Sequence, residues 1–496
     1  MSITGIANNI SPVIQSVLEM RKQLDDLQRQ LGTGQKAELF SGLGSQSTLA
    51  TGLSAQIEAI SSFDDTMTIV GTRTTIAQTA LGQISDVASQ VKAATLLPNF
   101  NIDATGQTSE QKTATDQLDQ VLSLLNSQVG DRYMFSGTAV TSPAVDTTDH
   151  ILNGNGAQAG LRQLISERNQ ADLGGPGGLG RLSIPAAVGT NVAMSETLSG
   201  PFGFKLAGVT STLTGAVVTG PVGAPPSINV NFAVNPNAGD KIKFTFNLPD
   251  GSTEDLVLEA TTSNTPGPGQ FTIGATPNAT AINFQAALTT SVDTLANTAL
   301  SAASAVKAAS DFFANPPMRV VGPPFTSATT MVAGTPANTI QWYIGENGPN
   351  PPRSTAVARI DPSITVQYGM RANEQGIAWI VQQVATLAAT KYLPTDPNAP
   401  GSYTALNQRL DQALSIPQGV QKIDDIQASI ASAQTAMQTT KDRHQQTNKT
   451  LTDMLQSIEG VDQNQVGVQI LALQTSLQAS FQTTAMLSQL SLVKVL

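Results

Sequence analysis

Apolar residues alternate at spacings of three and four near both ends of the chain, and this pattern restricts the fold more than any other feature. Ser11-Pro12 is typical of a helix start, and Gly32 and Gly34 end the first periodic stretch. A heptad repeat of this kind gives a helix one apolar stripe, which a second helix must cover. We call this stripe the N-terminal seam; it consists of Val13, Val17, Met20, Leu24, Leu27 and Leu31.

Residues 462–496 form a second periodic stretch at the other end. Asp462 and Gln465 have the spacing of a helix N-cap and its reciprocal capping partner. Chain ends are normally polar and frayed, whereas this one finishes in the apolar sequence LVKVL. The tail therefore needs a partner, which is either its own domain or another molecule. We call its stripe the C-terminal seam; it consists of Ile470, Leu473, Leu477, Phe481, Leu487 and Leu490.

Two longer heptad stretches, residues 60–91 and 423–458, lie inside the terminal ones, and helical periodicity also marks residues 109–129 and 374–392. The N-terminal stretches find matching stripes only among the C-terminal ones. We therefore predict that both ends of the chain meet in a coiled-coil bundle. In it, residues 60–91 lie beside 423–458 at a crossing angle of about 20°.

The middle of the chain has a different character, because glycine, proline and period-two alternation dominate residues 138–362. Residues 241–258 predict a β-hairpin around the turn PDGS, and residues 271–273 and 340–344 are further strand candidates. A helix is expected at residues 279–314. The fold class is thus terminal α-helices plus an α+β insert. Since no seam depends on this insert, we expect the helical core to fold without it.

Composition excludes several classes of function. With 26 basic and 36 acidic residues the formal net charge is −10, which argues against nucleic acid or an anionic membrane as a partner. The chain has no cysteine, so disulfides and thiolate metal sites are excluded. It also has no run of about 18 apolar residues that could span a membrane. The N-terminus has no secretory signal pattern, so export would need another route.

No arrangement of residues predicts catalysis, a cofactor or a metal. The glycine run at residues 154–159 fits a dinucleotide fingerprint in form, but the βαβ context that such a site needs is missing. His444 occupies a seam position and is interpreted as a packed, hydrogen-bonded core residue. The paired aspartates at 25–26, 64–65 and 424–425 flank seam positions and are interpreted as solvated faces.

Four short segments resemble the bacterial flagellin family, which includes flagellin and the hook-associated protein of the hook–filament junction. Residues 31–36 (LGTGQK) resemble the end of the family's first helix, and residues 130–137 (GDRYMFSG) resemble the segment that leaves its N-terminal helices. Residues 368–374 (YGMRANE) resemble the return into the C-terminal helices. Residues 477–484 (LQASFQTT), with LSL at 490–492, resemble the C-terminal signature. The resemblance covers about residues 1–140 and 365–496.

The resemblance implies an axial structural protein of the flagellum that forms a helical homo-oligomer. It would contact other flagellar axial proteins and be exported through the flagellar export apparatus, with a possible export chaperone at the C-terminus. Its location would be extracellular. The implied domains are an N-terminal axial helix (1–45), N-terminal bundle helices (46–137), a variable outer insert (138–362), C-terminal bundle helices (363–459) and a C-terminal axial helix (460–496).

Alternatives from other classes remain open at this point. The seams alone suit a soluble coiled-coil adaptor or chaperone, although the long insert does not. An extracellular adhesive protein would place its activity in the insert. Within the family, the segment at residues 130–137 favours a hook–filament junction protein, whereas the bulky insert favours a filament subunit.

Overall fold

The computed structural model describes residues 4–96, 99–175, 177–416 and 419–493, and side chains between residues 14 and 486. The chain folds into two compact units. Unit 1 is formed by residues 1–71, 358–366 and 434–496, and unit 2 by residues 72–357 and 367–433.

Unit 1 is built mainly from helices at both ends of the chain. A small core of Ala50, Leu53, Leu451 and Ile458 joins the first part of one long helix near the N-terminus to the last part of another near the C-terminus. The elements that contribute to unit 1 are α1 (Thr4–Thr33), α2 (Ser47–Leu96), α10 (Ile423–Glu459), α11 (Gln463–Val493) and the hairpin of β13 (Val357–Asp361) and β14 (Ile364–Gln367).

The first helix begins earlier than predicted. α1 starts at Thr4 instead of Ser11, so Pro12 lies inside the helix and the predicted start is wrong. A proline inside a helix removes one backbone hydrogen bond and crowds the carbonyl four residues before it. Its fixed φ is nevertheless helical, so the segment before it can remain in helical conformation at that cost.

The start of the last helix agrees with the prediction. The Oδ1 atom of Asp462 accepts the N–H of Asn464 at 2.9 Å and that of Gln465 at 3.4 Å. Each of these bonds satisfies a backbone donor that the first turn of a helix leaves without an intrahelical partner. The predicted N-cap of α11 is confirmed, whereas the reciprocal bond from the Gln465 side chain stays a prediction.

Unit 2 contains a first core made mostly of helices. The predicted neighbours α2 and α10 lie side by side here, since the Nε2 atom of Gln78 donates to the carbonyl of Gln427 at 2.8 Å. Within unit 1 the same two helices meet where His444 contacts Asp64, at 2.7 Å. The predicted pairing is confirmed, and its crossing angle stays a prediction.

The other helices of the first core are α3 (Ser109–Leu125), α4 (Thr148–Asn153), α5 (Leu161–Leu173), α7 (Ser301–Phe313), α8 (Gln375–Ala389) and α9 (Ala399–Leu414).

A second core in unit 2 lies between two four-stranded sheets and the helix α6 (Pro277–Leu295). α6 packs on strands of both sheets, and its Phe284 ring lies 5.3 Å from Phe232 and 5.1 Å from Phe271. The strands are β3 (Leu182–Ser183), β4 (Asn191–Glu196), β5 (Lys205–Ser211), β6 (Ala216–Val222), β7 (Ser227–Phe232), β8 (Lys241–Asn247), β9 (Thr253–Thr261) and β10 (Gln270–Thr272). One sheet has the order β10-β9-β8-β5 and the other β3-β4-β7-β6. A separate antiparallel pair is formed by β11 (Met318–Val320) and β12 (Met331–Ala333).

Several local predictions for the insert are confirmed. β8 and β9 form the expected antiparallel hairpin, with Lys241 opposite Glu259 and Asn247 opposite Thr253. β10 lies at the predicted third strand. The predicted helix at residues 279–314 is also present, as α6, a π-helical turn (Ala296–Leu300) and α7 in direct succession.

Other predictions are wrong. The third helix ends at Leu125 instead of residue 129, because residues 128–129 pair with 132–133 in a short hairpin, β1 (Gln128–Val129) and β2 (Arg132–Tyr133). Residues 340–344 form no ladder; Tyr343 makes only an isolated bridge to Val145. The segment is apolar because Ile340 and Trp342 are buried in the first core, not because it belongs to a sheet.

The structure argues against the expectation that the helical core folds without the insert, and the result of removing the insert stays a prediction. The first core contains side chains from the insert together with side chains from the terminal helices, so removal of residues 140–361 would open it. Phe312, on α7, is fully buried there. Further buried contributions from the insert are Val145, Ile151, Leu161, Ile340 and Trp342.

Burial on α2 gives a direct test of the helical core. Leu81 is fully buried, so Leu81→Asp should lower the free energy of unfolding by about 3–5 kcal/mol by placing an unpaired carboxylate in the core. Ile76 on the same helix is 37% exposed, and Ile76→Asp should cost less than about 1 kcal/mol. Urea denaturation followed by circular dichroism measures both. Equal losses for the two variants would contradict this assignment of the core.

The shared core gives a second test. Phe312→Ala should cost about 3–5 kcal/mol and shift the whole unfolding transition of the helical core, because it leaves a cavity among helices from both sides of the insert. Val217→Ala is the control, since Val217 on β6 is 59% exposed. A Phe312→Ala variant whose helical signal unfolds at the unchanged urea concentration would show that the insert is independent of that core.

Candidate assembly site

The two terminal helices lie against each other in unit 1. A short bridge fixes their near ends: the N–H of Lys36 donates to the carbonyl of Glu459 at 2.7 Å, and the N–H of Val461 donates to that of Gly34 at 3.0 Å. Further along, the Arg21 guanidinium lies 6.0 Å from the centre of the Phe481 ring. α1 therefore approaches the bridge while α11 leaves it, and the helices run antiparallel.

Lys36 also stabilises the end of α10 beside this bridge. Its ammonium group donates to the carbonyl of Ile458 at 2.7 Å and lies 3.4 Å from that of Ser457. The last carbonyls of a helix have no intrahelical partner and carry partial negative charge, so a cation is favourable there. The sequence segment LGTGQK thus both ends α1 and anchors it to the C-terminal part of the chain.

The N-terminal seam faces the contact between α1 and α11. Val17, Met20, Leu24 and Leu27 are half-buried, whereas Leu31 near the helix end is 39% exposed. The side chain of Val13 lies outside the described residues. The alternation of three- and four-residue spacings thus places the described seam residues on one side of α1.

The C-terminal seam is only partly turned to the same contact. Ile470 and Leu477 are buried and Leu473 is half-buried, but Phe481 is 49% exposed. A strict alternation of spacings from Leu477 reaches Ser480, which is half-buried, and so leaves Phe481 beside the stripe. The side chains of Leu487 and Leu490 lie outside the described residues. The role of both seams in assembly stays a prediction.

A second apolar surface, which we call the outer face, lies on α11 away from α1. It consists of Val468, Leu471 and Met486, which are 67%, 65% and 60% exposed. At about 100° per residue, Val468 and Met486 lie on the side of the helix opposite to the buried Ile470 and Leu477, and Leu471 lies at the edge of that side. Sequence reasoning missed this face because it searched for one stripe per helix.

His444 lies on α10 within unit 1, and the sequence predicts a packed core position for it. Its side chain is 5% exposed; its Nδ1 lies 2.7 Å from Asp64 Oδ1 and its Nε2 lies 3.4 Å from Asp361 Oδ2. Arg443 contacts the same Asp361 carboxylate at 2.6 Å. The interpretation of His444 as a packed, hydrogen-bonded residue is confirmed. Asp361 belongs to β13, so these contacts attach the hairpin to α10.

Two of the segments that carry the family resemblance meet in unit 2. The N–H of Gly137 donates to the carbonyl of Met370 at 3.0 Å, and the N–H of Ala372 donates to that of Phe135 at 2.8 Å. Residues 136 and 371 form the bridge between these bonds. The chain therefore leaves the N-terminal helices and returns to the C-terminal ones at one place.

Ion pairs stabilise this place. Arg371 contacts Glu346 at 2.5 Å, and Arg353 contacts Glu374 at 2.5 Å. The Glu374 side chain is only 3% exposed, and its other oxygen accepts the N–H of Arg371 at 3.1 Å. Burial raises the pKa of Glu374, against the opposing effect of the Arg353 charge. The Glu374 carboxylate can therefore remain buried because Arg353 pairs with it.

Helix α4, not a strand, precedes the glycine run at residues 154–159, so the dinucleotide fingerprint lacks its context. Among the described residues, no group of three or more acidic, histidine or cysteine side chains could hold a metal ion. Among the same residues, no helix is long and apolar enough to cross a membrane.

Comparison with known families agrees with the motifs. Residues 8–140 match the family model described as the bacterial flagellin N-terminal helical region. This match supports membership of the bacterial flagellin family. No curated protein matches the chain. The flagellin match runs through α1, α2 and α3 and ends after residues 130–137, the segment that pairs with residues 368–374.

The buried pair between Arg353 and Glu374 gives a test of this meeting point. Glu374→Ala should lower the free energy of unfolding by about 3–5 kcal/mol, because it leaves the Arg353 charge buried and unpaired. The double variant with Arg353→Ala should be less destabilised than the sum of the two single variants. Asp255→Ala is the control; its pair with Lys243 is about half exposed and should contribute less than about 1 kcal/mol. Strict additivity in the double variant would rule out the pair as a stabilising unit.

Proposed function

We propose that this flagellin-family protein is a structural subunit that polymerises through α1 and α11 into a helical filament. The observation that carries the proposal is the outer face of α11. α1 already occupies the opposite side of that helix, so Val468, Leu471 and Met486 remain in solvent within one molecule. Val468 and Leu471 are one helical turn apart and together form an exposed apolar surface, which is typical of an interaction site.

A second copy of the same chain fits this surface best. α1 also exposes apolar side chains beside its seam, Ile14 at 52% and Leu18 at 60%. Both terminal helices thus offer apolar surface to a neighbour of the same kind. A pair of isolated helices is marginally stable in water, so we expect lateral contacts between subunits to stabilise both.

Single substitutions on the outer face test the proposal. Leu471→Asp should abolish polymerisation and change the thermal unfolding of the monomer by no more than about 1 kcal/mol, because the side chain is exposed there. Ser476→Asp is the matched control, an exposed residue of the same helix that lies outside the outer face. Sedimentation and electron microscopy measure filament formation. Filaments of normal length from the Leu471→Asp protein would overturn the proposal.

Truncation and hydrogen exchange test the coupling of folding to assembly. Removal of residues 478–496 should abolish polymerisation and leave the thermal transition of the first core nearly unchanged. In the monomer, amides of α1 and α11 should exchange rapidly, and in the polymer they should be protected. Strong protection of residues 473–490 in a protein shown to be monomeric would contradict this coupling. It would indicate that α11 is a C-terminal helix that packs stably on its own molecule.

The proposed partners are further copies of the chain, other flagellar axial proteins, the flagellar export apparatus and an export chaperone at the C-terminus. The proposed location is the extracellular flagellum. The same helices would serve a filament subunit or a hook–filament junction protein. Immunogold labelling separates these two functions, because it marks the whole filament in the first case and only its base in the second.

A further inference from the structure

A cavity of about 300 Å³ in unit 2 has a lining that the proposed assembly does not use. It lies between the end of α7, residues 341–347 and the start of α8. Its wall combines aromatic rings with side-chain amides. The aromatic residues are Phe312, Phe313, Trp342 and Tyr343, and the amides are Asn315, Gln341, Asn347, Asn373 and Gln375.

The aromatic wall is held rigidly. The Trp342 ring lies 5.1 Å from Phe313 and 6.1 Å from Tyr343, and its Nε1–H donates to the carbonyl of Phe313 at 3.3 Å. The Tyr343 hydroxyl donates to the carbonyl of Glu346 at 2.8 Å. Phe312 and Trp342 are almost fully buried behind this wall, so Tyr343, which is half-buried, and the edge of Phe313 supply its accessible apolar surface beside the amides.

The amide wall can both donate and accept hydrogen bonds. Asn373 donates from Nδ2 to Asn347 Oδ1 at 2.9 Å, which orients the two groups with respect to each other. An amide has two donor hydrogens and a carbonyl oxygen, so this bond leaves capacity on both residues. Among the described residues that line the cavity, none carries a charge. The site therefore suits a neutral ligand with many hydroxyl groups and an apolar face.

We propose that this cavity binds a neutral carbohydrate of one or two sugar units. The C–H face of a pyranose ring would contact the aromatic wall, and its hydroxyl groups would bond the amides. The volume lies at the lower end of the range for ligand pockets, which suits a ligand of this size. The cavity is in unit 2 and the proposed assembly surface is on α1 and α11, so neither proposal depends on the other.

Tryptophan fluorescence tests the proposal directly. Trp342 and Trp379 are the two tryptophans, so Trp379→Phe leaves Trp342 as the single reporter beside the cavity. Methyl glucopyranoside, methyl galactopyranoside and N-acetylglucosamine are the probes. At least one should give a saturable change with a dissociation constant on the order of 1 mM. Calorimetry of the unsubstituted chain with the same sugars provides the measurement if the variant does not fold.

Substitution of the amides tests the location. Asn347→Ala with Asn373→Ala should weaken binding by at least about tenfold, because hydrogen bonds to the ligand are lost. Asn448→Ala on α10 is the control and should leave binding unchanged. Glucuronic acid and glucosamine, which are charged, should bind more weakly than the neutral probes. The proposal is overturned by absence of saturable binding in both measurements, by unchanged affinity in the double variant, or by equal affinity for the charged sugars.

Discussion

The structure depends on one constraint, that each apolar stripe on a long helix must be covered by another helix. Stripes near the N-terminus are covered by helices near the C-terminus in both units. In unit 1, Gly34 and Lys36 pair with Val461 and Glu459. In unit 2, α2 and α10 are joined by a side-chain bond at residues 78 and 427. Everything between the two ends is therefore a long connection whose start and end must lie together, as the bond between residues 135 and 372 shows.

The insert is more than a loop attached to these helices. A network around a buried ion pair of α5 links its parts: Arg168 Nε lies 2.8 Å from Asp172 Oδ2, and both side chains are almost fully buried. Arg168 also donates to the carbonyl of Pro201 at 2.8 Å, and Asp172 accepts the hydroxyl of Ser304 at 2.7 Å. Such a pair tolerates burial only when its remaining hydrogen-bonding groups are satisfied. Arg168 and Asp172 lie on α5, and Ser304 lies on α7. Both helices belong to the insert and also to the first core, so this network of insert residues holds two helices of that core together.

Sequence periodicity predicts the strongly patterned elements and misses those that depend on tertiary contacts. The heptads of α2 and α10 and the alternation of β8 predict their elements well. The helix α9 is missed, although Tyr403, Leu406 and Leu410 have helical spacing, because the proline-rich stretch before it suggests a loop. Residues 340–344 resemble a strand because a short apolar run does not show whether it will enter a sheet or fill a core. The outer face of α11 depends on which side α1 occupies, and periodicity alone does not determine that.

The absence of charged residues from α11 has a structural consequence. Among the described side chains of α1 and α11, the ion pair is Arg29 with Asp26, which lies within α1. Contacts between α1 and α11 are thus mainly apolar, apart from the bridge at residues 34–36 and the approach of Arg21 to Phe481. Apolar contacts are not directional, so a small shift of α1 along α11 costs little free energy. A similar shift would cost more where an ion pair fixes the partners, as it does at residues 353 and 374. The rigid contacts of the chain therefore lie where the insert leaves and rejoins the helices, and the adaptable ones lie between the two terminal helices.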